Sequence, residues 1–144
     1  MEILTKENIM LDVISEDKMS AISRLGRKLV ENGYVDEPYI EGMIKRENSL
    51  TTYMANGVAI PHAMPEYTQY IKHSGIVIAQ YRNGVDFGSG NTAKLLVGIA
   101  GIGADHMQVL SQVAIVCTEE SNVEEMAFSN DPQAIIELIE REGN

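Results

Sequence analysis

The sequence predicts an α/β fold: a single-domain sandwich in which a mixed β-sheet carries helices on both faces. Short apolar runs alternate along the chain with segments whose apolar residues recur at every third or fourth position, the spacing typical of helices. The run 94–100 is nearly continuous in apolar residues, as a central strand covered by helices is. The chain has 144 residues, the size of one ordinary domain, and we expect a single domain over 1–144.

Five helices are predicted from capping residues and apolar stripes. Asp17 can cap the first helix and Gly33 can end it, while Pro38 belongs to the first turn of the second. The third follows a connection rich in glycine, a short fourth helix comes next, and Asp131-Pro132 starts the last. The inner face of the third helix is predicted to be Met107, Leu110, Val113, Ala114 and Cys117.

Strands are predicted where a short apolar run lies between turn-forming residues. They fall within 1–14 and at 58–60, 75–81 and 94–100. Asn83-Gly84 predicts a tight turn after the third of them, with Val85 and Phe87 beginning the return limb. The polar stretch 48–57 is expected to be a loop.

The composition disfavours several classes of function. The formal net charge of -10 gives an acidic surface that repels phosphate backbones and anionic lipid, so we expect no nucleic-acid partner. The one cysteine cannot form an internal disulfide and fits a reducing compartment. The sequence contains neither an apolar run long enough for a membrane span nor a signal-peptide pattern. We therefore expect a cytoplasmic protein without direct membrane insertion.

The strongest candidate for chemistry is His62. The preceding run 58–60 predicts a short buried strand, which Pro61 ends because its ring fixes φ and removes the N–H donor. Ala63 adds little bulk on the far side, so the imidazole lies at a rigid strand end with space around it. That setting suits a nucleophile that another protein must reach. The alternative is a histidine that merely ends a strand.

A second histidine, His106, falls in the first turn of the third helix, where free N–H groups and the helix dipole favour an anion and a neutral ring. If the strand ends at His62 and Ala100 lie side by side, both histidines and the loop 101–105 share one pocket. Neutral imidazole is a competent nucleophile, and phosphoryl transfer needs donors for the equatorial oxygens. Helix amides, His106 and Arg46 could supply them. The alternative for His106 is a helix-start residue bonded to nearby backbone.

Other chemistries have weaker support in the sequence. The segment 101–106 follows a strand and opens a helix, but His106 replaces the third glycine of a dinucleotide fingerprint. A phosphate-binding P-loop and a Gly-x-Ser-x-Gly elbow are both missing from the sequence. The histidines and Cys117 lack zinc-ligand spacing, so we expect no metal and no cofactor. Cys117 is predicted to be a buried structural thiol, and His73 a solvated surface residue.

The stretch 57–63, GVAIPHA, resembles the active-site signature of the type-2 (mannitol/fructose) enzyme IIA domains of the bacterial phosphoenolpyruvate-dependent sugar phosphotransferase system. Arg46-Glu47 and Thr52 lie at the family's spacing from this histidine. The segments 75–88, 96–100 and 105–109 are most similar to the mannitol branch of the family. The resemblance covers essentially the whole chain.

The resemblance implies a phosphotransferase in which His62 accepts a phosphoryl group from the histidine phosphocarrier HPr and passes it to a cysteine of the IIB component. It implies that His106 steadies the phosphoryl group, that Arg46 is a supporting cation, and that no metal is needed. We expect the IIB and membrane IIC partners to be separate polypeptides and mannitol to be the sugar.

Two further functions stay open on the sequence. A regulatory module of the same kind, read by a transcription or transport protein, would accept phosphate without supporting sugar phosphorylation. A small-molecule binding domain would instead use the loop 101–105.

Overall fold

The chain forms a five-stranded mixed sheet with helices, and a computed structural model describes residues 2–103 and 105–143, the side chains of 105 and 106 excepted. The strands are β1 (Ile9–Met10), β2 (Tyr53–Ala55), β3 (Val58–Ala59), β4 (Gly75–Gly88) and β5 (Asn91–Ala100). The helices are α1 (Lys18–Glu31), α2 (Pro38–Ser49), α3 (Asp105–Cys117), α4 (Glu120–Phe128) and α5 (Pro132–Glu142), with 3-10 helices at Lys6–Asn8 and Pro65–Tyr70. None of the described helices combines the length and the apolarity that crossing a membrane requires.

The sheet places β5 at its centre, in the order β1-β4-β5-β3-β2. β4 and β5 are antiparallel, β3 runs parallel to β5, and β2 is an edge strand antiparallel to β3. The N–H of Ile99 donates to the carbonyl of Pro61 at 2.9 Å. The pairing of β3 with β5 therefore continues up to the residue before His62.

Both faces of the sheet are buried because helices cover each of them. Side chains along β4 and β5 point to the two faces alternately. On one face, Val77 and Leu96 pack with the apolar stripes of α1 and α2. On the other, Ile78 and Val97 pack with α3, α4 and α5. The predicted α/β sandwich with helices on both faces is confirmed.

The helix boundaries follow the capping residues that the sequence indicates. The Asp17 carboxylate accepts the Ser20 N–H at 2.7 Å at the start of α1. After α1, Gly33 has φ 85°, and the next N–H, of Tyr34, donates back to the carbonyl of Leu29 at 2.9 Å. The predicted starts of α2 and α5 are confirmed as well, each with proline in its first turn.

The predicted turn after the first limb of β4 is wrong. Asn83-Gly84 lies inside β4, where the register against β5 shifts, and Gly84 has φ 82°. The chain reverses instead around Ser89, which also has positive φ. Because residues that tolerate positive φ suit a bulge as well as a turn, the dipeptide alone does not separate the two. Val85 and Phe87 therefore belong to β4 and not to a return limb.

The stretch 48–57 is not simply a loop. α2 extends to Ser49, and residues 53–55 form the edge strand β2. Asn56 and Gly57, with φ of 55° and 81°, turn the chain from β2 into β3. His62 is thus presented by a hairpin that the sequence pattern concealed.

The predicted inward orientation of Met107 is also wrong, since this residue is 53% exposed. Along α3, burial increases from the exposed Met107 through the half-buried Leu110 to the fully buried Val113.

Candidate functional site

His62 lies three residues beyond the end of β3, and it is partly exposed. Its Nδ1 lies 2.8 Å from the carbonyl oxygen of Ile60. Because a carbonyl can only accept, Nδ1 carries the proton in this contact and Nε2 keeps its lone pair. The local backbone thus selects the tautomer whose Nε2 can act as a nucleophile.

A cavity of about 200 Å³ lies beside His62. We call residues 60–64 the His62 segment. The cavity is lined by this segment, α2, the 3-10 helix at Pro65–Tyr70, the end of β5, the loop after β5 and α3, through Tyr39, Ile60, Thr68, Ile99, Gly101 and Leu110. The strand ends at His62 and Ala100 thus lie side by side, which is the condition under which the sequence places His62 and the loop 101–105 in one pocket. A larger groove of about 730 Å³, between residues 2–7, α3 and α5, is lined by neither His62 nor Arg46.

The side chain of His106 lies outside the described part of the structure. Its backbone position is in the first turn of α3, four residues before Leu110, which lines the cavity. The predicted partnership of His106 with His62 stays a prediction.

Tyr39 is a buried support of this site that the sequence pattern marked only as part of an apolar helix face. Its hydroxyl donates to the carbonyl of Ile99 at 2.7 Å and accepts the N–H of Ala63 at 3.3 Å. Burial raises the pKa of Tyr39 to about 12, so the hydroxyl keeps its proton. The phenol bridges the end of β5 to the residue after His62. A tyrosine among aliphatic side chains was the available signal, because a buried phenol needs a hydrogen-bond partner.

The backbone that follows His62 packs against α2 through a glycine. The N–H of Met64 donates to the carbonyl of Gly42 at 3.2 Å, and the ring of Tyr67 lies directly over Gly42. A Cβ at this position would lie 2.4 Å from Cγ of Tyr67, a distance that side chains cannot adopt. Gly42 therefore allows the close approach that holds the segment in place.

Glu47 is a second support that the sequence indicated only through its spacing. One of its oxygens, Oε1, accepts both the N–H of Thr52 at 2.8 Å and the hydroxyl of Thr52 at 2.6 Å. The other, Oε2, lies 3.4 Å from Nζ of Lys18. Burial raises the pKa of Glu47, but hydrogen bonds from Thr51 and Thr52 and the charge of Lys18 outweigh burial and hold the pKa below its usual value.

Arg46 does not line the cavity beside His62. Its guanidinium donates to the carbonyl of Leu50 and so caps the end of α2. Positions 39, 42 and 46 fall on one face of α2, the face along which the His62 segment runs. The predicted role of Arg46 as a supporting cation stays a prediction.

The remaining candidates behave as ordinary structural or surface residues. Cys117 is buried, and burial raises its thiol pKa to about 11, which disfavours the reactive thiolate. His73 is exposed. Among the described residues, no group of three or more His, Cys, Asp or Glu side chains could hold a metal ion.

The chain is similar in sequence and in structure to proteins of one family. Residues 2–142 match the family described as "Phosphoenolpyruvate-dependent sugar phosphotransferase system, EIIA 2". The mannitol-specific phosphotransferase enzyme IIA component of Geobacillus stearothermophilus is 48% identical over 139 residues, 96% of both chains. Its counterpart in Bacillus subtilis is 43% identical over 96% of this chain and 97% of its own.

Two solved structures from Escherichia coli are also similar over nearly the whole chain. The crystal structure of IIA mannitol has a TM-score of 0.86 at 33% identity, covering 94% of this chain and 98% of that one. The complex of enzyme IIAMTL with phosphorylated enzyme IIBMTL gives a TM-score of 0.88 at 32% identity, covering 96% and 97%.

Proposed function

The chain belongs to the type-2 enzyme IIA family of the phosphoenolpyruvate-dependent sugar phosphotransferase system, and we propose that His62 is the residue through which it relays the phosphoryl group. The observation that carries the proposal is the contact of Nδ1 with the carbonyl of Ile60, which leaves Nε2 of a partly exposed ring free to react. His62 accepts the group from phosphorylated HPr and passes it to a cysteine of a IIB component.

The transfer balances without a proton leaving the site. The Nε2 lone pair attacks phosphorus while the bond from phosphorus to the donor nitrogen breaks, and that electron pair leaves with the donor imidazole. Positive charge develops on the ring of His62, whose Nδ1–H remains bonded to the carbonyl of Ile60. In the second step a IIB thiolate attacks phosphorus, and the ring of His62 leaves as the neutral Nδ1–H tautomer.

His106 and Arg46 have supporting roles in this proposal. The first turn of α3 presents free N–H groups, which together with His106 suit a phosphoryl dianion beside the cavity. Arg46 lies on the α2 face that packs against the His62 segment and contributes positive charge to the approach of the phosphorylated donor.

Mannitol is the proposed sugar, and the IIB and IIC components are the proposed partners. Relatives 48% and 43% identical are mannitol-specific IIA components, which supports the sugar. The similar IIA chain bound to phosphorylated IIB in the complex from Escherichia coli supports a IIB partner. These steps would take place in the cytoplasm.

Incubation with phosphoenolpyruvate, enzyme I and HPr tests the proposal. We expect one acid-labile, alkali-stable phosphoryl group per chain, seen by mass spectrometry, and its loss in His62→Ala. His73→Ala is the matched control because His73 is an exposed histidine away from the cavity, and it should be phosphorylated normally. A wild-type chain that stays unmodified, or a His62→Ala chain that is modified normally, would contradict the proposal.

Reconstitution with mannitol IIB and IIC tests the finer assignment. We expect mannitol phosphorylation to depend on this chain and on His62. A chain that accepts phosphate but leaves mannitol unphosphorylated would instead support the regulatory alternative.

A further inference from the structure

We propose that Glu47 is a positioning residue for His62, acting through Thr52 and Ile60 to hold the imidazole in its reactive tautomer. This inference rests on the proposed role of His62 as the phosphoryl acceptor. Glu47 does not line the cavity, so it acts through the backbone and not by contact with the phosphoryl group.

The first link joins Glu47 to Thr52. The Glu47 residue is 4% exposed, and its Oε1 accepts both donors that Thr52 can offer, the N–H and the hydroxyl. A buried carboxylate that receives two hydrogen bonds and faces Lys18 holds its partner firmly, because any rotation of Thr52 would leave buried charge unsatisfied.

The second link joins Thr52 to Ile60. The N–H of Ile60 donates to the carbonyl of Thr52 at 3.0 Å, while on the other side the carbonyl of Pro61 accepts the N–H of Ile99 at 2.9 Å. The two residues before His62 are thus clamped between Thr52, the residue that precedes β2, and β5. The β5 side lies in the sheet centre, whereas β2 is a three-residue edge strand whose side chains are exposed or half-buried.

The third link is the contact of His62 Nδ1 with the carbonyl of Ile60. In β2, Tyr53 packs against the core while Met54 and Ala55 are exposed, so the polar contacts to Glu47 are what hold Thr52 itself in place. If those contacts are lost, the carbonyl of Ile60 can turn away from Nδ1, and the ring can then place its proton on Nε2, which leaves the reactive lone pair on Nδ1 instead.

The test compares Glu47→Ala with Glu16→Ala. Glu16 is the matched control because it also accepts a hydroxyl, from Tyr81, and pairs with a cation of α1, Arg24, without any bond to the His62 segment. Two quantities are measured for each variant: the rate of phosphoryl transfer from phosphorylated HPr, and the tautomer of His62 from ring 15N chemical shifts in the unphosphorylated protein.

We expect Glu47→Ala to slow transfer about tenfold to a hundredfold, the range seen when the hydrogen-bond partner that orients a metal-binding histidine is removed, and to populate the Nε2–H tautomer. Glu16→Ala should change neither quantity at a temperature where both variants are folded. Equal effects of the two substitutions on rate and tautomer, or no effect of Glu47→Ala, would overturn the inference.

The tautomer measurement separates this inference from the proposed function. A wild-type chain that HPr does not phosphorylate contradicts the function, while the 15N shifts still decide whether Glu47 sets the tautomer. If Glu47→Ala does not fold, Thr52→Val removes one of the two bonds to Glu47. It should slow transfer, with recovery in Thr52→Ser, and equal rates in the two Thr52 variants would overturn the inference.

Discussion

Glu47 and Glu16 make similar contacts through their carboxylates but connect to different parts of the molecule. Each carboxylate accepts a hydroxyl and faces a cation of α1, and the side chains are 0% and 19% exposed. The hydrogen bonds of Arg24 lower the pKa of Glu16, and those of Thr51 and Thr52 overcome burial to lower that of Glu47. The strength of such a contact therefore does not reveal its role, whereas the residues to which it is connected do.

The connections differ along the sheet. Glu16 accepts a hydrogen bond from Tyr81 in β4. The level of His62 in the sheet is marked by Ile99, which bonds Pro61 and pairs with Ile76 of β4. Tyr81 lies five residues along β4 from Ile76. At about 3.3 Å per residue, Tyr81 is roughly 17 Å along the strand from the level of His62. Contacts near Tyr81 should therefore affect stability alone, whereas contacts that reach the His62 segment should also affect transfer.

The largest effect that would sharpen this contrast is expected from Gly42→Ala. The added Cβ would meet Cγ and Cβ of Tyr67 at 2.4 and 2.7 Å, so the segment after His62 must move. We expect a loss of about 1–3 kcal/mol in the free energy of unfolding and slower phosphoryl transfer. Denaturant unfolding and transfer rates from phosphorylated HPr measure both.

Gly26→Ala provides the control for that substitution, since Gly26 is also buried in a helix but its closest neighbour, at 2.7 Å, belongs to the side chain of Ile40. We expect a smaller loss of stability, partly offset by the roughly 1 kcal/mol gain in helix propensity, and unchanged transfer. Slower transfer in Gly26→Ala at equal folded fraction would break the contrast.

A smaller effect is expected from Tyr39→Phe, which removes the hydroxyl that bridges Ile99 and Ala63. Each lost hydrogen bond costs about 1 kcal/mol, and transfer should slow several-fold because the residue after His62 is released. The readouts are the unfolding free energy and the transfer rate.

Tyr34→Phe is its matched partner. The Tyr34 hydroxyl donates to the carbonyl of Glu2 and accepts from Asn8, so this variant loses the same number of bonds away from His62. A comparable loss of stability with normal transfer is expected. If both tyrosine variants transferred equally slowly, the effect would be one of general stability.

The smallest effect concerns acid stability, in which Glu16 and Glu47 should behave alike. Both carboxyls have a lower pKa in the folded chain than the usual value near 4.3, so their contribution is present above about pH 4.3 and is lost as the pH falls through the folded pKa. Glu16→Gln and Glu47→Gln should each be less stable at pH 7 and lose less stability on acidification. Thermal melts between pH 7 and pH 3 would show this, and an acid limb as steep as that of the wild type would contradict it.

Features set by neighbours in the sequence were predictable. Asp17 caps α1 with its own side chain, and Gly33 ends it with its own φ, so neither needs a distant partner. His62 and Pro61 were recognisable for the same reason, since the strand end and the proline are adjacent to the histidine.

Features that depend on distant partners were not predictable. Asn83-Gly84 forms a bulge because β5 continues to pair beyond it, and the sequence cannot specify that register. The edge strand after α2 is held by the contact of Glu47 with Thr52, by pairing with β3 and by the packing of Tyr53 on the core, and its three residues are too few to show a strand pattern. The role of Tyr39 likewise appears only when Ile99 and the His62 segment come together.

The most direct test of the account is 15N and 31P NMR of the phosphorylated chain. The contact of Nδ1 with Ile60 predicts that phosphorus is bonded to Nε2 of His62 and that Nδ1 keeps its proton. Phosphorus on Nδ1 of His62, or on any other residue, would contradict the account.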